Sequence, residues 1–436
     1  MQIAYRPIRI ALLGAGSVGS QVARLLLENK QELALRVGAE LELIGIAVRN
    51  LEGKRDSDLP SSLYTTDAEA LIKSADIVIE LIGGIEPAKS YVSLALNTGA
   101  DVITANKALI AAHGPELLDL AEQLGAQLYY EAAVGGAIPI IRPLRESLAG
   151  DKVNKVMGIV NGTTNFILDQ MESTGASFED ALAEAQALGY AEADPTADVE
   201  AYDAASKAAI LASLAFHSEV PVEKVYREGI TKVTALQIEA AREAGYAVKL
   251  LAICERIEAT DEQPEGIAVR VHPTLIPDEH PLAAVRGAFN AVFVEAESAG
   301  QLMFYGAGAG GPQTASAVLG DLVGAAKRHL AGGPGIADSV HANLEVFPVQ
   351  VVQTRFQITL RVNDRPGVLA SVATVFAHHG VSVETVDQNP AGKESGALLS
   401  VTTHEASERD LEAVVEDLKS NSAVQRVDSV IRVEGI

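Results

Sequence analysis

A chain of 436 residues is too long for one core and predicts about three domains. Its 48% hydrophobic against 21% charged residues is a globular balance, and a formal charge of −24 argues against nucleic acid or an anionic membrane surface as partner. One cysteine, Cys254, excludes an internal disulfide, and the opening MQIAYRPIRIALLGAGSVG carries neither a membrane-length apolar run nor a cleavable signal, so a soluble cytoplasmic protein is expected.

In chain order, IRIALL (8–13) reads as a buried strand, followed at once by Gly14-x-Gly16-x-x-Gly19 and the helical run SQVARLLLENKQEL. Apolar runs LELIGIAV, DIVIELIG, DVITAN and QLYYEAAV follow with helical segments between them, which predicts an α/β fold with a Rossmann doubly wound parallel sheet. Between a strand and a helix, such glycines permit a tight turn and close backbone approach, while the helix N-terminus faces a pyrophosphate. Gly14, Gly16, Ser17, Val18 and Gly19 are therefore expected to hold a dinucleotide. The second strand should end near Val48, where NAD sites usually place an acidic residue for the ribose 2′-hydroxyl. Arg49 and Lys54 stand there instead and suit a 2′-phosphate, favouring NADP over NAD.

From about residue 150 the texture changes. KVNKVMGIVNGTTNFIL reads as a strand and a polar turn entering a helix. Ala-rich helices are expected over 178–217 and 221–245, and strands at 246–256, 266–273 and 289–295. The Gly-rich FYGAGAGG then feeds a helix that returns to the first domain. The expected division is a dinucleotide-binding domain at 1–147 completed by 306–330, an α+β substrate and dimerisation domain at 148–305, a linker at 331–354 and a tail at 355–436. The tail shows the order βαββαβ, a ferredoxin-like module. Its His378-His379 pair is read as the end of a helix, and the nine histidines show no metal-ligand spacing.

Two lysines stand apart. DVEAYDAASKAAIL sets Asp203 and Lys207 four residues apart, hence on one helix face, and no charge follows through 208–216. Lys107, in VITANKALIAAHG, lies just past a strand, at the end of the sheet where open α/β folds bind ligands. A surface ion pair accounts for Asp203 and Lys207, and an ordinary helix start for Lys107; beside a cofactor, the pair of lysines points to proton transfer.

TANK, EAAVGGAIPII, GIVNGTTNFIL and LGYAEADPTADVEAYDAASK together resemble homoserine dehydrogenase, over roughly residues 8–330, and the tail resembles an ACT domain. One departure is Ala201, where that family usually has glycine. The resemblance implies NAD(P)-dependent interconversion of L-homoserine and L-aspartate 4-semialdehyde, in threonine, methionine and isoleucine biosynthesis. It implies Lys207 as the proton carrier and Lys107 as a contact to nicotinamide and substrate oxygen, with the two roles open to exchange. A free lysine, with a pKa of about 10.4, is a poor base, but burial and a second cation lower it. Glu192 and Asp203 are implied for the substrate ammonium, and Asp198 for steadying the helix and its lysine. Gly189, Gly308 and Gly310 are implied where backbone approaches the nicotinamide. The Glu131 carboxylate and the carbonyls of Val134, Gly136 and Ile138 resemble a family site for a monovalent cation, sodium. ACT domains bind effectors at paired interfaces, which implies a homodimer or homotetramer inhibited by threonine, with Asn363 and Asp364 holding its ammonium. A phosphorylating semialdehyde dehydrogenase would need a cysteine nucleophile, and Cys254 sits in the apolar run VKLLAICERI. A sensor built on a dead enzyme would have lost Glu192, Asp203 and Lys207, and all three stand.

Overall fold

A computed structural model describes residues 6–53, 59–261, 263–332, 338–390 and 396–435. They form two compact units: Met1–Gly162, Ser206–Glu223 and Phe289–Leu344 make the first, and Thr163–Ala205, Lys224–Ala288 and Glu345–Ile436 the second. Among the described residues no helix is long and apolar enough to cross a membrane.

The first unit is built on a parallel sheet in the order Tyr64–Thr65, Leu41–Ala47, Ile8–Leu13, Ile77–Glu80, Asp101–Thr104, Leu128–Tyr129. Strands flanked by helices on both faces are buried along their length, and Ile77–Glu80 and Asp101–Thr104 are buried at every position, their middles apolar and their ends carrying Glu80, Asp101 and Thr104. The order reverses beside Ile8–Leu13, which opens a crevice at the carboxyl ends of the strands. Helix Gly311–Ala331 returns to this sheet from late in the chain: Ala315, Val318, Leu322 and Ala325 share a core with Ile8, Ile10, Leu12 and Val22. Three antiparallel strands, Val153–Ile159, Phe289–Ala296 and Gly300–Ala307, belong to the same unit.

In the second unit Tyr246–Ile257 and Gly266–Pro277 pair antiparallel along their whole length. Thr274 and Leu275 then pair in parallel with Arg432 and Val433, so the sheet runs on into Val424–Val433. Beyond it lie Gln353–Val362, Ala397–Thr403 and Val383–Pro390, all antiparallel. Helices Val368–His378 and Glu408–Ser420 cover one face, where Phe356, Ile358, Leu360, Val372, Phe376 and Leu411 form a core. That is the βαββαβ order expected of the tail, and it has its own core. Its sheet is nonetheless bonded to Gly266–Pro277 rather than standing free.

Two expectations for this unit change. The helix read over 221–245 shrinks to Ala235–Glu243, opened by a capping box between Thr234 and Gln237. Ahead of it, Tyr226 and Arg227 are extended and pair with Arg270 and Val271, because sheet bonding there outweighs local helix propensity. The helical stretch over 178–217 is broken into Phe178–Ala187, Thr196–Val199 and Tyr202–Phe216, the last belonging to the first unit from Ser206 onward.

Ala201, the departure noted in the sequence, sits at the last of these breaks, fully buried, with φ at +63°. A Cβ in that left-handed region costs about 1–2 kcal/mol, which accounts for glycine in the related motif. Ala201→Gly should therefore raise the stability of this unit by about 0.5–1 kcal/mol, the strain relieved exceeding the added chain entropy. Denaturant unfolding checks this, and a lowered midpoint would show that the turn carries no such strain.

Candidate active site

At the end of strand Ile8–Leu13 the three glycines do different jobs. A Cβ on Gly14 (φ +103°) would lie 2.6 Å from the Leu81 carbonyl oxygen, and one on Gly19 would lie 2.2 Å from the Gly14 carbonyl oxygen. Gly16 has open space around its α-carbon. The first and third glycines thus close the turn, and the second leaves room for a ligand. Helix Ser17–Glu28 begins there with Gly16 as its N-cap, so no side chain covers its first N–H groups. Gly14 and Gly16 line a cavity of about 840 Å³, and Arg49 and Asn50 line it as well. Lys54 lies outside the described residues.

A second cavity of about 410 Å³ shares Leu81, Ile82 and Gly83 with the first. It brings together Val18, Lys107, Lys207, Gly136 and Gly308. Lys107 opens helix Lys107–Leu124 and is exposed. Lys207 is only 8% exposed, and its Nζ donates to the Val160 carbonyl oxygen at 2.6 Å.

Three residues that sequence reasoning passed over stiffen this pocket. The fully buried Glu80 accepts from the Ile82 and Gly83 N–H groups at 2.7 and 3.3 Å and from Thr104 Oγ1 at 2.6 Å. Thr104 Oγ1 in turn accepts from the Asn106 N–H at 3.0 Å. Asn106 donates to the Gly84 carbonyl at 2.6 Å and caps the Lys107 helix by accepting from the Leu109 N–H at 3.1 Å. The cap was readable, since Asn directly before a helical run is an N-cap signal. Glu80 was not, because a lone acid ending an apolar strand carries no local pattern.

The Gly-rich loops meet backbone to backbone. A Cβ on Gly136 would lie 2.5 Å from the Gly308 carbonyl oxygen, and one on Gly308 would lie 2.1 Å from the Asn290 side-chain amide. Gly310 (φ +124°) is the N-cap of helix Gly311–Ala331, and Gly311 packs toward the Ser17 carbonyl.

In the loop expected to hold a cation, the Glu131 carboxylate is instead taken up by protein donors. It accepts from the N–H groups of Ile140 (2.6 Å), Ile141 (2.8 Å) and Arg142 (3.0 Å) and from Arg142 Nε (3.1 Å). A carboxylate has about four lone-pair sites, and four donors fill them. The carbonyls of Val134, Gly136 and Ile138 remain as the oxygens expected for a cation. Main-chain oxygens of this kind fit a hard monovalent ion, and positive φ at Gly135 and Gly136 lets the loop fold tightly. The Glu131 N–H donates to Asp321 Oδ2 at 2.9 Å. Burial pushes the Asp321 carboxyl up to about 7, with Arg142 pulling it down and Glu131 adding to the rise.

The remaining residues lie in the second unit. Gly189 (φ +78°) turns the chain after helix Phe178–Ala187 and is exposed. Glu192 is exposed, and its main-chain carbonyl accepts from Gln186 Nε2 at 3.0 Å. The carbonyl of Asp198, in Thr196–Val199, accepts from the Ala201 N–H at 2.9 Å. Asp203 is buried in the first turn of the helix on which Lys207 follows one turn later. In the tail, Asn363 is engaged within its own module: its Nδ2 reaches the Ser422 carbonyl at 3.3 Å and its Oδ1 accepts from Gln425 at 2.9 Å. Asp364 is exposed. Cys254 is fully buried, and burial pushes its thiol up to about 12, so it supplies no nucleophile at neutral pH.

Residues 139–323 match the homoserine dehydrogenase family, residues 14–131 its NAD-binding domain, and residues 356–423 the ACT domain. The chain is 54% identical to the homoserine dehydrogenase of Corynebacterium glutamicum, over 98% of this chain and 96% of that one. It is 52% identical to that of Mycobacterium tuberculosis, over 99% and 98% of the two chains. Its fold matches a crystal structure of a homoserine dehydrogenase from Thiobacillus denitrificans with a TM-score of 0.90, at 39% identity and 99% of each chain. A hyperthermophilic archaeal homoserine dehydrogenase in complex with NADPH matches with a TM-score of 0.61, at 29% identity, over 75% of this chain and 99% of that one.

Proposed function

We propose, from the premise that the chain belongs to the homoserine dehydrogenase family and is an NAD(P)-dependent oxidoreductase with an ACT domain, that it interconverts L-homoserine and L-aspartate 4-semialdehyde in the cytoplasm with NADP as preferred cofactor and threonine as feedback inhibitor. One observation carries the catalytic reading: Lys107 and Lys207 line one cavity with Gly308, adjoining the groove at Gly14 and Gly16. Residues 1–147 with 306–330 serve the dinucleotide, 148–305 the substrate and dimerisation, 331–354 the link, and 355–436 regulation in a homodimer or homotetramer.

A nicotinamide cofactor held at Gly14 and Gly16 would supply the hydride chemistry at the substrate C4. Lys207 handles the proton on the C4 oxygen, donating as the aldehyde is reduced and accepting in reverse. Its near-complete burial limits exchange with water, and the Val160 carbonyl fixes where Nζ points. Lys107 contacts the nicotinamide and the substrate oxygen. Glu192 and Asp203 take the substrate ammonium, a charge that needs carboxylates once desolvated, while Asp198 steadies the helix. Gly189, Gly308 and Gly310 keep side chains out of the nicotinamide end. The carbonyls of Val134, Gly136 and Ile138 would hold sodium, whose charge would stiffen the loop against Gly308.

Lys207→Ala should lower kcat by about 10²–10⁴-fold and leave cofactor affinity nearly intact, measured as NADP reduction with L-homoserine. Unchanged kcat would pass the proton role to Lys107.

Support for NADP comes from Arg49 in the groove wall and from the NADPH bound by the archaeal relative. Arg49→Ala should weaken NADP binding more than NAD binding, because only NADP carries the phosphate a guanidinium can grip. Equal losses in a two-cofactor titration would remove Arg49 from the 2′ position.

Cutting the tail away would strip Gly266–Pro277 of a bonded neighbour, so a point substitution is the cleaner probe of regulation. Asp364→Ala should retain turnover and lose threonine inhibition. Inhibition equal to the parent enzyme's would move the effector elsewhere.

A further inference from the structure

The second unit holds a cavity that the dehydrogenase reading leaves unused. Its volume of about 320 Å³ is at the small end of ligand sites. Its wall comes from five separated stretches: the turn at Glu200, the segment from Arg227 to Val233, Gln237, Pro273, and Val430 to Arg432 on the strand Val424–Val433.

This wall is fastened. A Cβ on Gly229 would lie 2.3 Å from the Val199 carbonyl oxygen, so loop and turn touch at main-chain distance. The Ile230 N–H donates to that carbonyl at 2.8 Å, and Thr231 Oγ1 donates to Glu200 Oε1 at 2.9 Å. Arg227 donates to the Glu200 main-chain carbonyl at 3.2 Å and lies 3.5 Å over the Tyr202 ring. Arg432, 7% exposed, is held by Glu408 and, at 3.0 Å, by Glu228.

Charges of both signs line the space. Arg227, Lys232 and Arg432 are positive, the last already answered by Glu408 and Glu228; Glu200 and Glu228 are negative, and Val233 and Val430 supply apolar surface. Lys232 makes no ion pair among the described residues. A simple anion entering here meets two carboxylates, and a simple cation meets two arginines and the lysine. A small molecule bearing both charges a few bonds apart satisfies both pairs at once, and the volume leaves room for a short side chain.

We propose that this cavity binds a free L-α-amino acid with a short side chain, its carboxylate toward Lys232 and Arg227 and its ammonium toward Glu228 and Glu200. The site shares no lining residue with the loop at Asn363 and Asp364. It goes beyond the dehydrogenase reading, and binding can be scored whether or not that reading holds.

The test is calorimetric titration of the full chain with L-alanine, L-serine and L-threonine. At least one should bind, with affinity weakened about tenfold or more by Lys232→Glu, restored by Lys232→Arg and retained in Asp364→Ala. The proposal is overturned if none of the three binds, if Lys232→Glu leaves binding unchanged, if Lys232→Arg weakens it as much, or if Asp364→Ala alone abolishes it.

Discussion

Glu131 is the fastening on which the ligand side of the first unit depends. It is 2% exposed, and its carboxylate gathers the main-chain N–H groups of three successive residues and the Arg142 side chain. Its own N–H points to Asp321 on the returning helix, and Arg142 closes the triangle at 3.3 Å from Asp321. Strand end, Gly-rich loop and returning helix therefore share one buried junction. Removing one member of such a group leaves charge uncompensated in the interior, at a cost of about 3–5 kcal/mol. The loop carrying Gly136 inherits its position from this junction and passes it to Gly308 through their direct contact.

A neighbouring cluster extends the same logic. Tyr130, one residue before Glu131, donates to Asp338, which also pairs with the buried Arg145, and the Arg145 guanidinium lies 4.8 Å from the Tyr130 ring centre. Burial and the adjacent Asp338 carboxylate hold the Tyr130 hydroxyl well above the ordinary tyrosine range, so it remains a donor. The chain at residue 338, within the stretch expected to be a linker, is thus fastened beside the Gly-rich loop that follows Glu131.

What was legible in the sequence follows from how far each signal reaches. Gly14, Gly16 and Gly19 were readable because the strand, turn and helix that give them meaning lie within twenty residues. The parallel sheet and the βαββαβ tail were readable for the same reason, as periodicity and turn residues are local. The edge strand Tyr64–Thr65 was too short to leave a period. Tyr226 and Arg227 are extended because of partners more than forty residues away, at Arg270 and Val271, which no window over 221–245 includes. Tyr130 and Asp338 meet across a separation of 208 residues. At the site, Lys107 and Lys207 were visible as isolated charges in apolar runs. Glu80 and Asn290 were not, since their importance lies in loops that fold back over them. The mistaken role for the Glu131 side chain has the same origin: a carboxylate in a Gly-rich loop looks free until the N–H groups of 140–142 turn toward it.

The pairing of Gly266–Pro277 with Val424–Val433 also matters for how the chain is made. On the ribosome, Gly266–Pro277 emerges long before its parallel partner has been translated. Until then Thr274 and Leu275, beyond the stretch paired with Tyr226 and Arg227, lack their partners, and such an open edge recruits strands from neighbouring chains. Closure of the second unit must wait for a contact between residues distant in sequence, which slows folding and lengthens the exposure. A nascent chain of this protein is therefore most vulnerable late in synthesis, when most of its length is already outside the exit tunnel.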